Sequence, residues 1–137
     1  MTLYELSIFV QNKKGKLTSI SKLMGEAAID IRGFSMVDTA EGYGIFRLLV
    51  NDNAKAVRIL QEHNFTVSET EVLVVMIPDS PGALYETLKL FSDNEINLEY
   101  IYPVANSAIV IKLDDFVKAY RILEAAGIKI IKNSSDI

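Results

Sequence analysis

Lys55-Ala56-Val57-Arg58-Ile59-Leu60 comes back, almost letter for letter, as Lys118-Ala119-Tyr120-Arg121-Ile122-Leu123. Reading outward, Asn12-x-x-Gly15-x-Leu17 returns as Asp79-x-x-Gly82-x-Leu84. Asp30-Ile31 returns as Asn97-Leu98, each pair beginning fifteen residues after its glycine. Pattern and order both recur, so the chain holds two copies of one structural unit, 1–69 and 70–137. Any site that one unit builds is then expected twice. Duplication of this kind points towards a module that reads a ligand and away from a single catalytic pocket.

Within the first copy, Leu3 to Val10 is rich in β-formers, with Tyr4, Leu6, Ile8 and Val10 sharing a face. After Gly15, Leu17, Ile20, Leu23, Met24 and Ala27 recur at helical spacing as far as Ile29. Ile31 to Asp38 and Tyr43 to Val50 read as strands joined by a turn at Glu41-Gly42. Asn51-Asp52-Asn53 supplies helix-capping residues before an apolar face of Val57 and Leu60. Phe65 to Val67 begins a fourth strand. The second copy repeats the order: strand Glu71 to Pro78, helix Gly82 to Asn94, strands Asn97 to Val104 and Ala108 to Leu113. A helix marked by Phe116, Tyr120 and Leu123 follows, and Ile128 to Ile131 closes the unit. The fold class is α+β: two βαββαβ ferredoxin-like units in tandem, each an antiparallel sheet with helices on one face.

Composition bounds the function. Half of the 137 residues are hydrophobic and the net charge is −4, so the chain is ordered and globular. Units of roughly 70 residues bury little core alone, so each is expected to lean on its neighbour or on a second chain. Val72-Leu73-Val74-Val75-Met76-Ile77 has no polar alternation, which predicts burial on both sides of that strand and a homodimer or larger assembly. With a pI near 5.0, nothing supplies the positive field that a phosphate backbone requires. There is no cysteine, and with it go disulfides and thiolate chemistry. No signal peptide, membrane span or cofactor motif is visible, so the expected location is the cytoplasm.

In each copy a strand passes through a short polar turn and enters a helix just after a glycine. Free backbone N–H groups at such a helix start suit a carboxylate or other small anion. The candidate ligand set is Asn12, Lys14, Gly15 and Leu17 with Asp30, and Asp79, Ser80, Gly82 and Leu84 with Asn97. Each copy offers one Asp and one Asn, the inventory a free amino acid needs: an acceptor for its ammonium and an amide that can donate or accept. The strand-two entries carrying Asp30 and Asn97 are expected beside these loops. The plainer reading is that Asn12 and Asp79 cap helices while Asp30 and Asn97 shape helix exits.

The element order, the Asn/Asp-x-x-Gly-x-Leu loop and the Asp/Asn-Ile/Leu entry to strand two together resemble the ACT domain, a family of amino-acid-sensing regulatory modules. The resemblance covers nearly the whole chain as two tandem units with no catalytic domain. It implies a ligand held between one unit's loop and a neighbour's strand two, by polar side chains at the positions of Asn12 and Asp30. Asp79 and Asn97 match them in the second copy. Asp30 stands where serine-binding members carry an amide, and Lys13-Lys14 replaces an Arg-Pro-like turn. Gly33, Ser35, Tyr100 and Tyr102 would be further contacts, although core packing also accounts for one of the tyrosines. The implied partners are a small amino acid, a second copy of the chain and a regulated enzyme.

Three other readings compete. Glu41-Gly42-Tyr43-Gly44-Ile45-Phe46 is similar to the third-strand signature of RNA-recognition motifs, but it lacks the leading basic residue, and its second copy has no aromatic. An enzyme would rest on His63, the only histidine, which a helix C-terminus already explains. No metal-ligand spacing appears either. A ligand-free scaffolding subunit fits the apolar second sheet as well as a sensor does.

Overall fold

The computed structural model describes residues 3–137 and shows an α+β protein of six strands and four α-helices. The chain divides into two compact units, one of them Tyr4–Thr70 and the other including Glu71–Ile137. The first contains β1 (Leu3–Gln11), α1 (Lys16–Glu26), β2 (Ile31–Asp38), β3 (Tyr43–Val50) and α2 (Asn53–Glu62). β4 (Thr66–Met76) follows, then α3 (Ala83–Asp93), β5 (Leu98–Val104), β6 (Ala108–Leu113) and α4 (Phe116–Ala125). β3 pairs antiparallel with both β1 and β2, as β6 does with β4 and β5.

Alternation decides which face each strand buries. Leu6, Ile8 and Val10 of β1 meet Phe46, Leu48 and Val50 of β3 in one cluster, closed by Ile20 and Met24 of α1 and Ala56 and Leu60 of α2. The second unit assembles the matching cluster from Leu73, Val75, Ile109 and Ile111, with Phe91 of α3 and Ala119 and Leu123 of α4. Helix starts are set locally. Asp52 accepts from the Lys55 N–H at 3.1 Å and Asp115 from the Lys118 N–H at 3.0 Å, each satisfying a donor that the helix leaves free. Helix exits match too: Asn64 (φ 65°) and Gly127 (φ 73°) both take the left-handed conformation. The next N–H then donates back, Phe65 to Leu60 and Ile128 to Leu123, each at 3.0 Å. Even the bulges recur, between Ile31 and Gly33 in β2 and between Leu98 and Tyr100 in β5.

Two strand expectations change. The fourth strand of the first copy and the first of the second are one continuous element, β4, since nothing between Val67 and Thr70 signals a turn. The closing segment Ile128 to Ile131 is not a full strand. It makes an isolated antiparallel bridge, Val75 to Ile130, with Met76 N–H donating to Lys129 and Ile131 N–H to Val74. As the unbroken apolar run implies, Val72, Leu73, Val74 and Val75 are all fully buried, and they are so within a single chain.

Candidate functional site

The two loops are built alike. Gly15 (φ 84°, ψ −3°) and Gly82 (φ 86°, ψ −10°) occupy the left-handed region immediately before α1 and α3. A Cβ at either position would meet nothing within 4 Å, so the backbone conformation, not lack of space, calls for glycine. No side chain caps α1 or α3. Asn12 and Asp79 are therefore not the caps that the plainer reading made them, and the first N–H groups of both helices have no side-chain acceptor. Asn12, Lys14 and Gly15, like Asp79, Ser80 and Gly82, are exposed, and Leu17 and Leu84 flank them as partly exposed apolar side chains.

Asp30 and Asn97 do not lie beside their own unit's loop. Gln11, at the loop end of β1, pairs with Tyr43, whereas Ile31, at the start of β2, pairs with Val50. Seven steps along β3 separate those partners, a span of about 24 Å at antiparallel strand rise. In the second unit, Met76 pairs with Ala108 and Leu98 with Leu113, a span of about 17 Å. The physical reason is the crossover: α1 runs back along the sheet before β2 begins, and α3 does the same before β5. A unit's own loop and strand-two entry thus occupy opposite ends of its sheet.

The Asp30 carboxylate accepts from Arg32 Nη1 at 3.1 Å, and its N–H donates to Asn51 Oδ1 at 3.0 Å. Both partners sit on or beside the β2 bulge. Asn97 is exposed, and Glu99 occupies the place of Arg32, so the second entry lacks that cation. Ser35 lies opposite Arg47 on the sheet face away from the helices. The residues matching Gly33 and Ser35 are Tyr100 and Tyr102, whose rings stack with centroids 6.4 Å apart. Tyr102 is buried, in keeping with core packing for one of the pair.

Two features escaped the reading of the sequence. Glu5, fully buried on the same sheet face, lies 3.5 Å from the Arg47 guanidinium and accepts from the Ser7 hydroxyl at 3.4 Å. The other is a cleft of about 460 Å³ in the first unit, walled by Phe9, Tyr43 and Phe65 and bearing Lys16 and His63. His63 is the C-cap of α2, and its Nδ1 lies 2.9 Å from the Ile59 carbonyl oxygen. The signal that could have revealed this cleft is a departure from the repeat, because Lys16 and His63 match Ala83 and Ala126. Among the described residues, no cluster of His, Cys, Asp or Glu could hold a metal ion, and no helix is long and apolar enough to cross a membrane.

Both halves of the chain are thus one duplicated α+β unit whose first helix begins at a left-handed glycine. The sequence profile of the ACT domain pair matches residues 1–115, and the chain belongs to that family. Among solved structures, a protein from Bacteroides thetaiotaomicron shares 30% identity over 96% of this chain and 92% of its own, with a TM-score of 0.89. The regulatory subunit of aspartate kinase from Thermus thermophilus, in its ligand-free form, has the same fold. It matches at TM-score 0.65 and 11% identity over 90% of this chain and 91% of its own. The aspartokinase alpha and beta subunits match at TM-score 0.59 and 16% identity over 92% and 96% of the two chains. No curated protein matches the sequence.

Proposed function

We propose that this protein is a non-catalytic regulatory sensor that binds a free amino acid where one ACT unit meets another, each unit being ferredoxin-like. The observation that carries the reading is the near-identity of the two glycine-started loops, φ 84° and 86°, both without a side-chain cap. The first helical N–H of each turns back onto its loop, Lys16 to Lys13 and Ala83 to Ser80, and the absence of a side-chain cap leaves the start suited to a carboxylate. In this reading the N–H groups near Gly15 and Gly82 hold the carboxylate, Asp30 and Asp79 take the ammonium, and Asn12 and Asn97 orient the ligand. Because loop and strand-two entry are far apart within a unit, a ligand that touches both draws on two units. The aspartate kinase relative is itself called a regulatory subunit, which supports regulation as the role.

A thermal-shift screen of the purified protein against the twenty amino acids at millimolar concentration tests this. At one hundred times its dissociation constant, a ligand adds about 2.7 kcal/mol, a rise of several degrees. A selective rise is expected, and no rise for any amino acid overturns the reading. In the Asp79→Ala variant, calorimetry should show one class of site lost with the fold intact; unchanged affinity and stoichiometry would remove Asp79 from the site. The ligand-free interaction subunit remains the second reading, favoured by one observation: Phe34, Met36 and Val37 leave β2 with a run of exposed apolar side chains. A partner enzyme biased by ligand state would experience a coupling of roughly 1–3 kcal/mol.

A further inference from the structure

We infer that the cleft of the first unit is a second ligand site, for a small organic acid with an aromatic or similarly flat apolar body. The cleft lies between the loop end of β1, the start of α1, the start of β3 and the exit of α2. Its volume, about 460 Å³, falls in the range of small-molecule pockets. None of the described residues lining it is acidic. Lys16 brings an ammonium group. His63 is held by its Nδ1 on the Ile59 carbonyl, which leaves Nε2 as the nitrogen able to meet a ligand. That nitrogen donates to a carboxylate when the ring is protonated and accepts from a carboxylic acid when it is not. Phe9 and Tyr43 are each about half exposed, at 49% and 50%, and so offer ring surface to a flat ligand.

The internal repeat supplies the control. The second unit forms the same helix start and helix exit with Ala83 for Lys16 and Ala126 for His63, although its strand stops two residues short of Pro78, the match of Gln11. One exchange runs the other way, Lys129 for Thr66. The second unit's helix exit returns the same 3.0 Å hydrogen bond, and Gly82 takes the same left-handed conformation as Gly15. Lys16 and His63 are therefore not required by the fold, and their placement on one cleft with three aromatic rings is specific to the first copy. This inference does not depend on the amino-acid reading, whose ligand set excludes both residues.

The test is a titration of the ¹⁵N-labelled full chain with sodium phenylacetate and, separately, sodium phosphate at millimolar concentration, followed by amide chemical shifts. Saturable shifts at Tyr43, His63 and Asn64 with phenylacetate, and none there with phosphate, are expected. The double variant Lys16→Ala, His63→Ala takes the residues that the second unit already carries, and in it the affinity should fall at least tenfold. Lys16→Gln alone, which keeps the stem of the side chain, should weaken binding in the same direction. Equal shifts with phosphate mean an adventitious ion only and overturn the inference. So does the absence of shifts at these amides, or a double variant that binds as well as the parent. None of those outcomes bears on Asp79 or on the amino-acid screen, so the two readings fail separately.

Discussion

Gly44 shows how one residue can carry a misleading signal. It sits in the segment that is similar to a nucleic-acid signature, yet its own surroundings explain it. A Cβ there would collide with the Met36 thioether and approach the Val37 carbonyl oxygen at 3.0 Å. Close strand packing accounts for the glycine. Glu5 and Arg47 are the opposite case, a pair with no sequence signature whose consequence is energetic. Glu5 is fully buried and Arg47 nearly so. Removing Arg47 strands a buried charge, and Arg47→Leu should lose about 3 kcal/mol in urea denaturation. The double variant Glu5→Leu, Arg47→Leu should lose less than that single variant, because no charge is left uncompensated. Equal losses would show that the pair acts through packing alone. Alternation marked position 5 as facing away from the helices. It could not show that this face is buried, so an ion pair there was invisible.

Helix starts were the most legible elements. Asn51-Asp52-Asn53 and Asp114-Asp115 announce caps by residue type, and Asp52 and Asp115 hold them at 3.1 and 3.0 Å. Asp52→Ala and Asp115→Ala should each lower stability by about 1 kcal/mol, and by similar amounts, when read by chemical denaturation. A marked inequality would mean that the two helices are not equivalent in energy despite equal geometry. Strands were read less well where pattern and pairing part company. Ile128 to Ile131 has strand composition, but its pairing to β4 is confined to a bridge and two hydrogen bonds, and composition does not report how long a partner remains available. The geometry of the candidate site was half legible. Spacing identified both glycine loops, but placing Asp30 beside Asn12 ignored the direction of α1, which carries the chain to the far end of the sheet before β2 begins.

For the whole molecule, the apolar run in β4 was the reason to expect a dimer, and that run is already buried in one chain. A run of exposed apolar side chains lies instead on β2, where Phe34 is 65% exposed. If self-association occurs, this is the surface it should use. Sedimentation of the purified protein is expected to give twice the 15.3 kDa chain mass, and Phe34→Asp should shift it towards one. A parent protein that sediments as a single chain would end the dimer proposal. A variant that sediments like a dimeric parent would move the contact elsewhere.

The unbroken β4 has a consequence of another kind. Tandem modules are usually joined by a tether, the place where proteases nick them and where recombination can shuffle one module without the other. Here the boundary between repeats falls inside one strand, between Thr70 and Glu71. Cutting the gene at that point leaves each fragment with a torn sheet margin in place of a clean terminus. The duplication has become a single heritable part: its two copies can diverge in sequence, as Lys16 and Ala83 have, but they cannot easily be inherited apart.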